Sequence, residues 1–153
     1  MNTSIAADDF RMAGHAREFE TRRVVQGALI AAGTAVCLNV IVYLVARALG
    51  VTFTGRFNPA SAQMVVGLKD VVGASIVWLV PASLGLLAMN RFAERPARMF
   101  AISATAFGLL SIAGPLTFPE ASAGTKIALS VMHVVLTVAI VWALVLRERS
   151  GRA

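Results

Sequence analysis

Residues 127–146, IALSVMHVVLTVAIVWALVL, form a run of twenty positions without Asp, Glu, Lys or Arg. The hydrocarbon core of a bilayer is about 30 Å thick, and an α-helix needs roughly 20 residues to cross it. Strands of membrane barrels are shorter and alternate in polarity, whereas this run does not alternate. The stretch therefore predicts a transmembrane helix.

Three further stretches, residues 24–49, 64–89 and 99–118, have the same apolar character. Hydrophobic residues make up 58% of the 153-residue chain and charged residues 14%, whereas about a quarter of a soluble domain is charged. A helix pairs its own backbone polar groups, which lipid requires. The sequence thus predicts an all-α fold, a four-helix transmembrane bundle.

This bundle is predicted to cover residues 23–147. Residues 1–22 are polar and form a cytoplasmic segment, for which disorder and a short interfacial helix both stay open. Residues 148–153 are predicted to be a cytoplasmic tail.

Basic residues divide unevenly between the two ends of the predicted bundle. Four lie at one end: Arg47, Arg56, Lys69 and Lys126. Ten lie at the other end: Arg11, Arg17, Arg22, Arg23, Arg91, Arg95, Arg98, Arg147, Arg149 and Arg152. Because Lys and Arg are retained in the cytoplasm, both termini are predicted to be cytoplasmic, in the plasma (inner) membrane. The basic residues at the helix ends account for the net charge of +6. The sequence contains no pattern of interleaved aromatic and basic residues that would indicate nucleic-acid binding.

Residues that could support catalysis are scarce. Cys37 is the single cysteine, so no intrachain disulfide or cysteine-pair redox site can form. The two histidines, His15 and His133, lie on opposite sides of the membrane in the predicted topology, which argues against a shared metal site. The sequence contains no zinc-protease, phosphate-loop or nucleophile-elbow motif. We therefore predict no enzyme activity, no cofactor and no metal.

Ionisable residues within the predicted spans cluster in the outer half of the bundle: Arg47, Lys69, Asp70 and His133. Counted from the predicted helix starts, Asp70 and His133 are each about 9 Å deep. Such residues are costly in lipid and often functional, and histidine changes charge near neutral pH. One hypothesis is a polar site open to the outside. The structural alternative is that Asp70 neutralises a basic neighbour while His133 bonds to backbone.

Two other residues are singled out by their position. Asn39, near the middle of the first helix, is a candidate for an interhelical hydrogen bond. Pro81 lies well inside the second helix and predicts a kink, because proline lacks an N–H group. Small residues four apart indicate close helix packing: Gly27 with Ala31, Ala28 with Ala32, and Ala104 with Gly108.

The second half of the chain resembles the actinobacterial four-helix membrane family known as domain of unknown function 6069. The resemblance rests on Gly114-Pro115 at the end of the third helix, Lys126 at the start of the fourth, and the Met132-His133 pair. It covers roughly residues 22–147 and implies the four-helix fold and an integral membrane location. The family has no assigned activity, so the resemblance implies no function.

Two functions stay open at this point. The first is a non-enzymatic accessory, structural or partner-binding protein of the lipid bilayer, acting as a homo-oligomer or with another membrane protein. The alternative is a small proton-coupled transporter or sensor that uses the outward-facing polar site. Four-helix exporters use a carboxylate in the first helix, and residues 24–49 contain none.

Overall fold

The computed structural model describes residues 21–56, 60 and 62–146 of the chain. The segment before Thr21 and the tail after residue 146 lie outside the described residues, as do the predictions made for them. The elements are α1 Thr21–Ala48, β1 Thr54–Gly55, β2 Met64–Val65, α2 Leu68–Val77, α3 Leu79–Phe92, α4 Pro96–Ser111, α5 Ala113–Leu116, α6 Ala123–Val141 and a π-helix, Trp142–Leu146.

Four helical stretches are long and apolar enough to cross a membrane, and we call them spans one to four in chain order. They are Thr21–Ala48, Leu68–Phe92, Pro96–Leu116 and Ala123–Val145. Large apolar side chains project outward from them, and Leu110, for example, is 73% exposed. The prediction of an all-α, four-helix transmembrane bundle is confirmed, and the chain is a multi-pass membrane protein.

The spans follow one another around the bundle. Span one packs against span two and span four, and span three packs against α3 and span four. We call the end that carries β1 and β2 the hairpin end. The opposite end, where α1 begins and where Phe92–Pro96 joins spans two and three, is the terminal end.

Small residues line the buried face of α1. Gly27, Ala31, Ala35, Asn39 and Ala46 are buried at nearly four-residue spacing, which places them on one side of the helix. A Cβ atom at Gly27 would lie 2.9 Å from the Ala143 carbonyl oxygen at the start of the π-helix. Glycine therefore permits the close approach of spans one and four near the terminal end.

Span two is interrupted at Trp78, between α2 and α3. Pro81 stands three residues further on and has no N–H to donate to the carbonyl of Val77, while its ring crowds that same carbonyl. The interruption thus has a local chemical cause. The two helices on either side of it, α2 and α3, pack against different sets of neighbours.

The hairpin end is closed by the connection between spans one and two. Thr54 pairs with Val65 and Gly55 with Met64 in an antiparallel register. Phe53 is fully buried beneath this pairing, with a left-handed φ of 55°, and its ring lies 4.8 Å from that of Tyr43.

An ion pair fastens this hairpin to the connection between spans three and four. Arg56 Nε lies 2.9 Å from Glu120 Oε2, and the Arg56 amide donates to the Pro119 carbonyl. A Cβ atom at Gly55 would lie 2.6 Å from the Phe118 ring. The two connections therefore form one cap over the hairpin end.

The largest differences from the predicted boundaries at this end are the starts of spans two and four. Residues 64–65 belong to β2, so span two begins at Leu68 instead of residue 64. Span four begins at Ala123 instead of residue 127, because the Ser122 hydroxyl oxygen accepts from the Thr125 amide and caps the helix. These shifts change the depth of both Asp70 and His133.

Candidate functional site: a cleft between spans two, three and four

Asp70 lies in the first turn of α2, not two turns inside it. Its Oδ2 accepts a hydrogen bond of 2.8 Å from the Gly67 amide, the residue that precedes the helix. A carboxylate at this position bonds an unpaired N–H and opposes the positive end of the helix dipole. Asp70 is exposed, and the contact that it makes in the structure is that of a helix cap.

Arg47 and Lys69 are also exposed at the hairpin end. Arg47 Nη1 donates long hydrogen bonds to the carbonyls of Val51 and Thr52, at 3.5 and 3.4 Å. Across the described residues, no hydrogen bond or ion pair joins Arg47, Lys69 or Asp70 to His133. The structure does not bring the four residues of the predicted polar site together.

His133 lies deeper than the sequence predicted, ten positions after the start of α6 and therefore about 15 Å along the helix axis. Its Nδ1 is 2.8 Å from the Leu129 carbonyl oxygen of the preceding turn. A carbonyl only accepts, so Nδ1 carries the hydrogen in this contact. In the neutral form of the ring, Nε2 is then an acceptor.

His133 lines a cleft of about 520 Å³ formed by spans two, three and four. This volume is within the range of roughly 300–1,000 Å³ that is typical of small-molecule sites. Span two contributes Trp78, Pro81, Ala82, Gly85 and Met89; span three contributes Phe100, Ser103, Ala104, Phe107, Gly108 and Ser111; span four contributes His133, Leu136, Thr137 and Ile140.

The two halves of span two pack differently. Among the described elements, α2 packs mainly against α1, whereas α3 packs against both α1 and α4. Span two therefore contacts span three along α3. The cleft lies beside this same half, since the residues that span two contributes to it run from Trp78 to Met89.

Aromatic rings border the cleft on its exposed side. The rings of Trp78 and Phe107 lie 5.8 Å apart, centroid to centroid, and these residues are 47% and 58% exposed. In a membrane protein this exposure is exposure to lipid at mid-depth. The exposed rings place one side of the cleft at the outer surface of the bundle.

Most of the hydroxyl groups on the cleft wall donate hydrogen bonds to backbone carbonyls of their own helices. Thr137 Oγ1 donates to the His133 carbonyl at 2.8 Å, and Ser111 Oγ donates to the Gly108 carbonyl at 2.7 Å. Their oxygens can still accept, but their hydrogens are used. Gly108 packs so closely on Thr137 that a Cβ atom there would overlap it, which brings spans three and four together at the back of the cleft.

Asn39 occupies a separate polar position, between spans one and two. Its Nδ2 donates to Ser75 Oγ at 3.0 Å, and Ser75 Oγ donates to the Val71 carbonyl at 2.8 Å. Asn39 is 3% exposed, and its Oδ1 has no hydrogen-bond partner among the described residues. This is an interhelical hydrogen bond of the kind its position predicted.

Most of the residues that line the cleft were not predicted from the sequence to form a site. His133, Leu136, Thr137 and Ile140 recur at three- and four-residue spacing, which places them on one face of α6. This periodicity was visible, but it does not reveal which neighbour the face meets. Within residues 21–56, 60 and 62–146, no cluster of three His, Cys, Asp or Glu residues could hold a metal ion.

Comparison with protein families identifies the family of this chain. The sequence model of the family described as "Family of unknown function (DUF6069)" matches residues 19–151. Comparisons with curated proteins and with solved structures give no significant match. Because the match covers most of the chain, this protein belongs to the DUF6069 family.

Proposed function

We propose that this protein is a non-enzymatic, membrane-embedded binding protein whose site is the cleft between spans two, three and four. The observation that carries the proposal is a space of about 520 Å³ at mid-depth, bordered by the exposed rings of Trp78 and Phe107. Concave, mainly apolar spaces with few polar groups are the usual form of ligand sites. The ligand would be a membrane-dissolved molecule that enters from the lipid.

A binding role is favoured over catalysis by the composition of the wall. His133 is the one titratable side chain among the lining residues. Nucleophilic and acid–base catalysis use a second group that activates or orients the first. The wall instead offers apolar surface, which holds a ligand without transforming it.

The terminal end of the bundle is proposed to face the cytoplasm, across the plasma membrane. Arg91, Arg95 and Arg98 lie in or beside the connection at this end, and the rule that basic residues stay inside supports that orientation. The cleft would then be reached from within the bilayer, independently of either aqueous side. Another membrane protein as the partner would use the same lateral opening.

Proton-coupled transport receives less support from the geometry. That alternative depends on a carboxylate beside His133, and Asp70 instead bonds the Gly67 amide at the helix start. The binding proposal uses His133 without a partner carboxylate.

The proposal can be tested with the two tryptophans of the chain, Trp78 and Trp142. In a Trp142→Phe variant reconstituted in bilayer discs, Trp78 is the only tryptophan and reports on the cleft. A brominated long-chain ether is expected to quench its fluorescence saturably. Saturation distinguishes a site from random collision with lipid.

Glycine variants provide the matched controls. An added Cβ meets nothing within 4 Å at Gly85, which lines the cleft, or at Gly73, which does not. Gly85→Leu is expected to remove saturable quenching, whereas Gly73→Leu is expected to preserve it. Quenching that rises linearly with probe in every variant would refute the proposed function.

A further inference from the structure

We propose that the cleft selects a neutral, hydroxyl-bearing lipophile, an alcohol or a phenol, whose O–H donates to His133 Nε2. This inference rests on the proposed function and adds the chemical class of the ligand. It follows from which hydrogen-bonding atoms the wall presents and which it has already used.

The contacts of the imidazole determine which of its nitrogens is free to bind a ligand. The 2.8 Å contact from Nδ1 to the Leu129 carbonyl makes Nδ1 the donor, so Nε2 of the neutral ring is an acceptor. Among the described residues Nε2 has no partner in a hydrogen bond. His133 lines the cleft, so Nε2 is the ring nitrogen that a ligand can use.

The hydroxyl groups near His133 already donate their hydrogens within their own helices. Gly108 contacts Thr137, so in the antiparallel pair of spans three and four Ser111 lies near the level of His133. The hydrogens of Ser111 and Thr137 both go to backbone carbonyls. The wall around His133 therefore offers acceptors and favours a ligand that brings a donor.

Ser103, the other hydroxyl on the wall, lies eight residues from Ser111 on the same helix, which is about 12 Å along the axis. Between them stands Phe107, facing Trp78. A ligand with its hydroxyl group at His133 would therefore lay its apolar part along these rings. A charged headgroup has no matching ion on the wall, and burying it would be costly.

The test compares a long-chain bromoalkanol, which carries an O–H donor, with its methyl ether, in which an O–CH₃ group replaces the O–H. Both are titrated against Trp78 fluorescence in the Trp142→Phe protein, and their concentrations in the bilayer are measured directly. One net hydrogen bond is worth about 1 kcal/mol. The alcohol is therefore expected to bind about five-fold more tightly than the ether.

Two variants locate the acceptor. His133→Leu is expected to bind both probes equally, with the ether affinity retained as evidence of an intact cleft. Ser111→Ala is expected to keep the five-fold preference. A preference that survives in His133→Leu, or that disappears in Ser111→Ala, would overturn the assignment of His133 as the acceptor.

The failures of the two proposals are distinguishable. Equal, saturable binding of alcohol and ether to the unsubstituted cleft would refute hydroxyl selection and leave the cleft as a binding site. Loss of saturable binding for both probes would refute the proposed function itself.

Discussion

The contact between spans one and four and the cleft between spans two, three and four are both lined with glycine, but only the first is closed. At Gly27 a Cβ atom would lie 2.9 Å from the Ala143 carbonyl oxygen, whereas at Gly85 it would meet nothing within 4 Å. Small residues allow helices to approach. They produce a contact only where a neighbouring helix comes close, as span four does at Gly27.

The difference shows that residue size alone does not decide which helix surface closes. At Gly27 the contact is closed by the backbone of span four, whereas nothing lies within 4 Å of a Cβ atom at Gly85, which lines the cleft. Gly27 in the closed contact is needed for stability, whereas Gly85 in the cleft leaves room for a ligand. Substitutions at the two kinds of position should therefore separate stability from binding.

The largest effect is expected for Gly27→Val, which should lower the free energy of unfolding by about 3 kcal/mol, since overpacking against a backbone carbonyl cannot be relieved by a side-chain rotation. Equilibrium unfolding in bicelles would measure it. Gly33→Val is the matched control on the same helix, because nothing lies within 4 Å of a Cβ there. Equal losses in both variants would contradict a close contact at Gly27.

Gly108→Val is expected to cost less, about 2 kcal/mol, because the overlapping group is the Thr137 side chain, which can move. The same unfolding measurement applies. A second substitution, Thr137→Ala, should recover part of the loss by making room. If Thr137→Ala adds a further loss instead, spans three and four do not meet at these residues.

Asn39→Leu is expected to lower the free energy of unfolding by about 1 kcal/mol, the scale of a hydrogen bond between membrane helices. Its bond to Ser75 Oγ can be isolated with a double-mutant cycle that includes Ser75→Ala. The cycle should show that the second substitution costs less once the first is present. Strict additivity would mean that the two side chains do not interact.

The smallest change in stability is expected for Gly85→Leu, within about 1 kcal/mol in either direction, because the added side chain enters open space and leucine favours a helix over glycine. Its effect on probe binding should nevertheless be complete. A destabilisation as large as that of Gly27→Val would show that the cleft is closed in the folded protein, and the comparison of the two glycine positions would fail.

The fold was predictable from the sequence because the length of an apolar run reports directly on membrane thickness. The interruption of span two was also predictable, since Pro81 removes a specific backbone hydrogen bond. The starts of spans two and four were not obtained from hydropathy. They depend on Asp70 at the third helical position and on Ser122 before the helix, which are capping signals.

The candidate site was only partly predictable, because hydropathy gives the depth of a residue but not its direction around the helix. The shifted starts moved Asp70 outward to a helix terminus and His133 inward. Their similar predicted depths therefore did not correspond to a contact. The cleft itself is formed by three spans together, and the hydropathy of one span does not indicate which other spans it meets.

The most direct test of the cleft is photolabelling of the reconstituted protein with a small lipophilic diazirine, read at single-residue resolution by mass spectrometry. Leu110, which is 73% exposed, is the reference for full labelling. Ala31 and Ala35, which are buried, are the references for protection from labelling. We expect Ala82, Gly85 and Leu136 on the cleft wall to be labelled like Leu110. Protection of these three residues to the level of Ala31 and Ala35 would contradict an open lateral cleft.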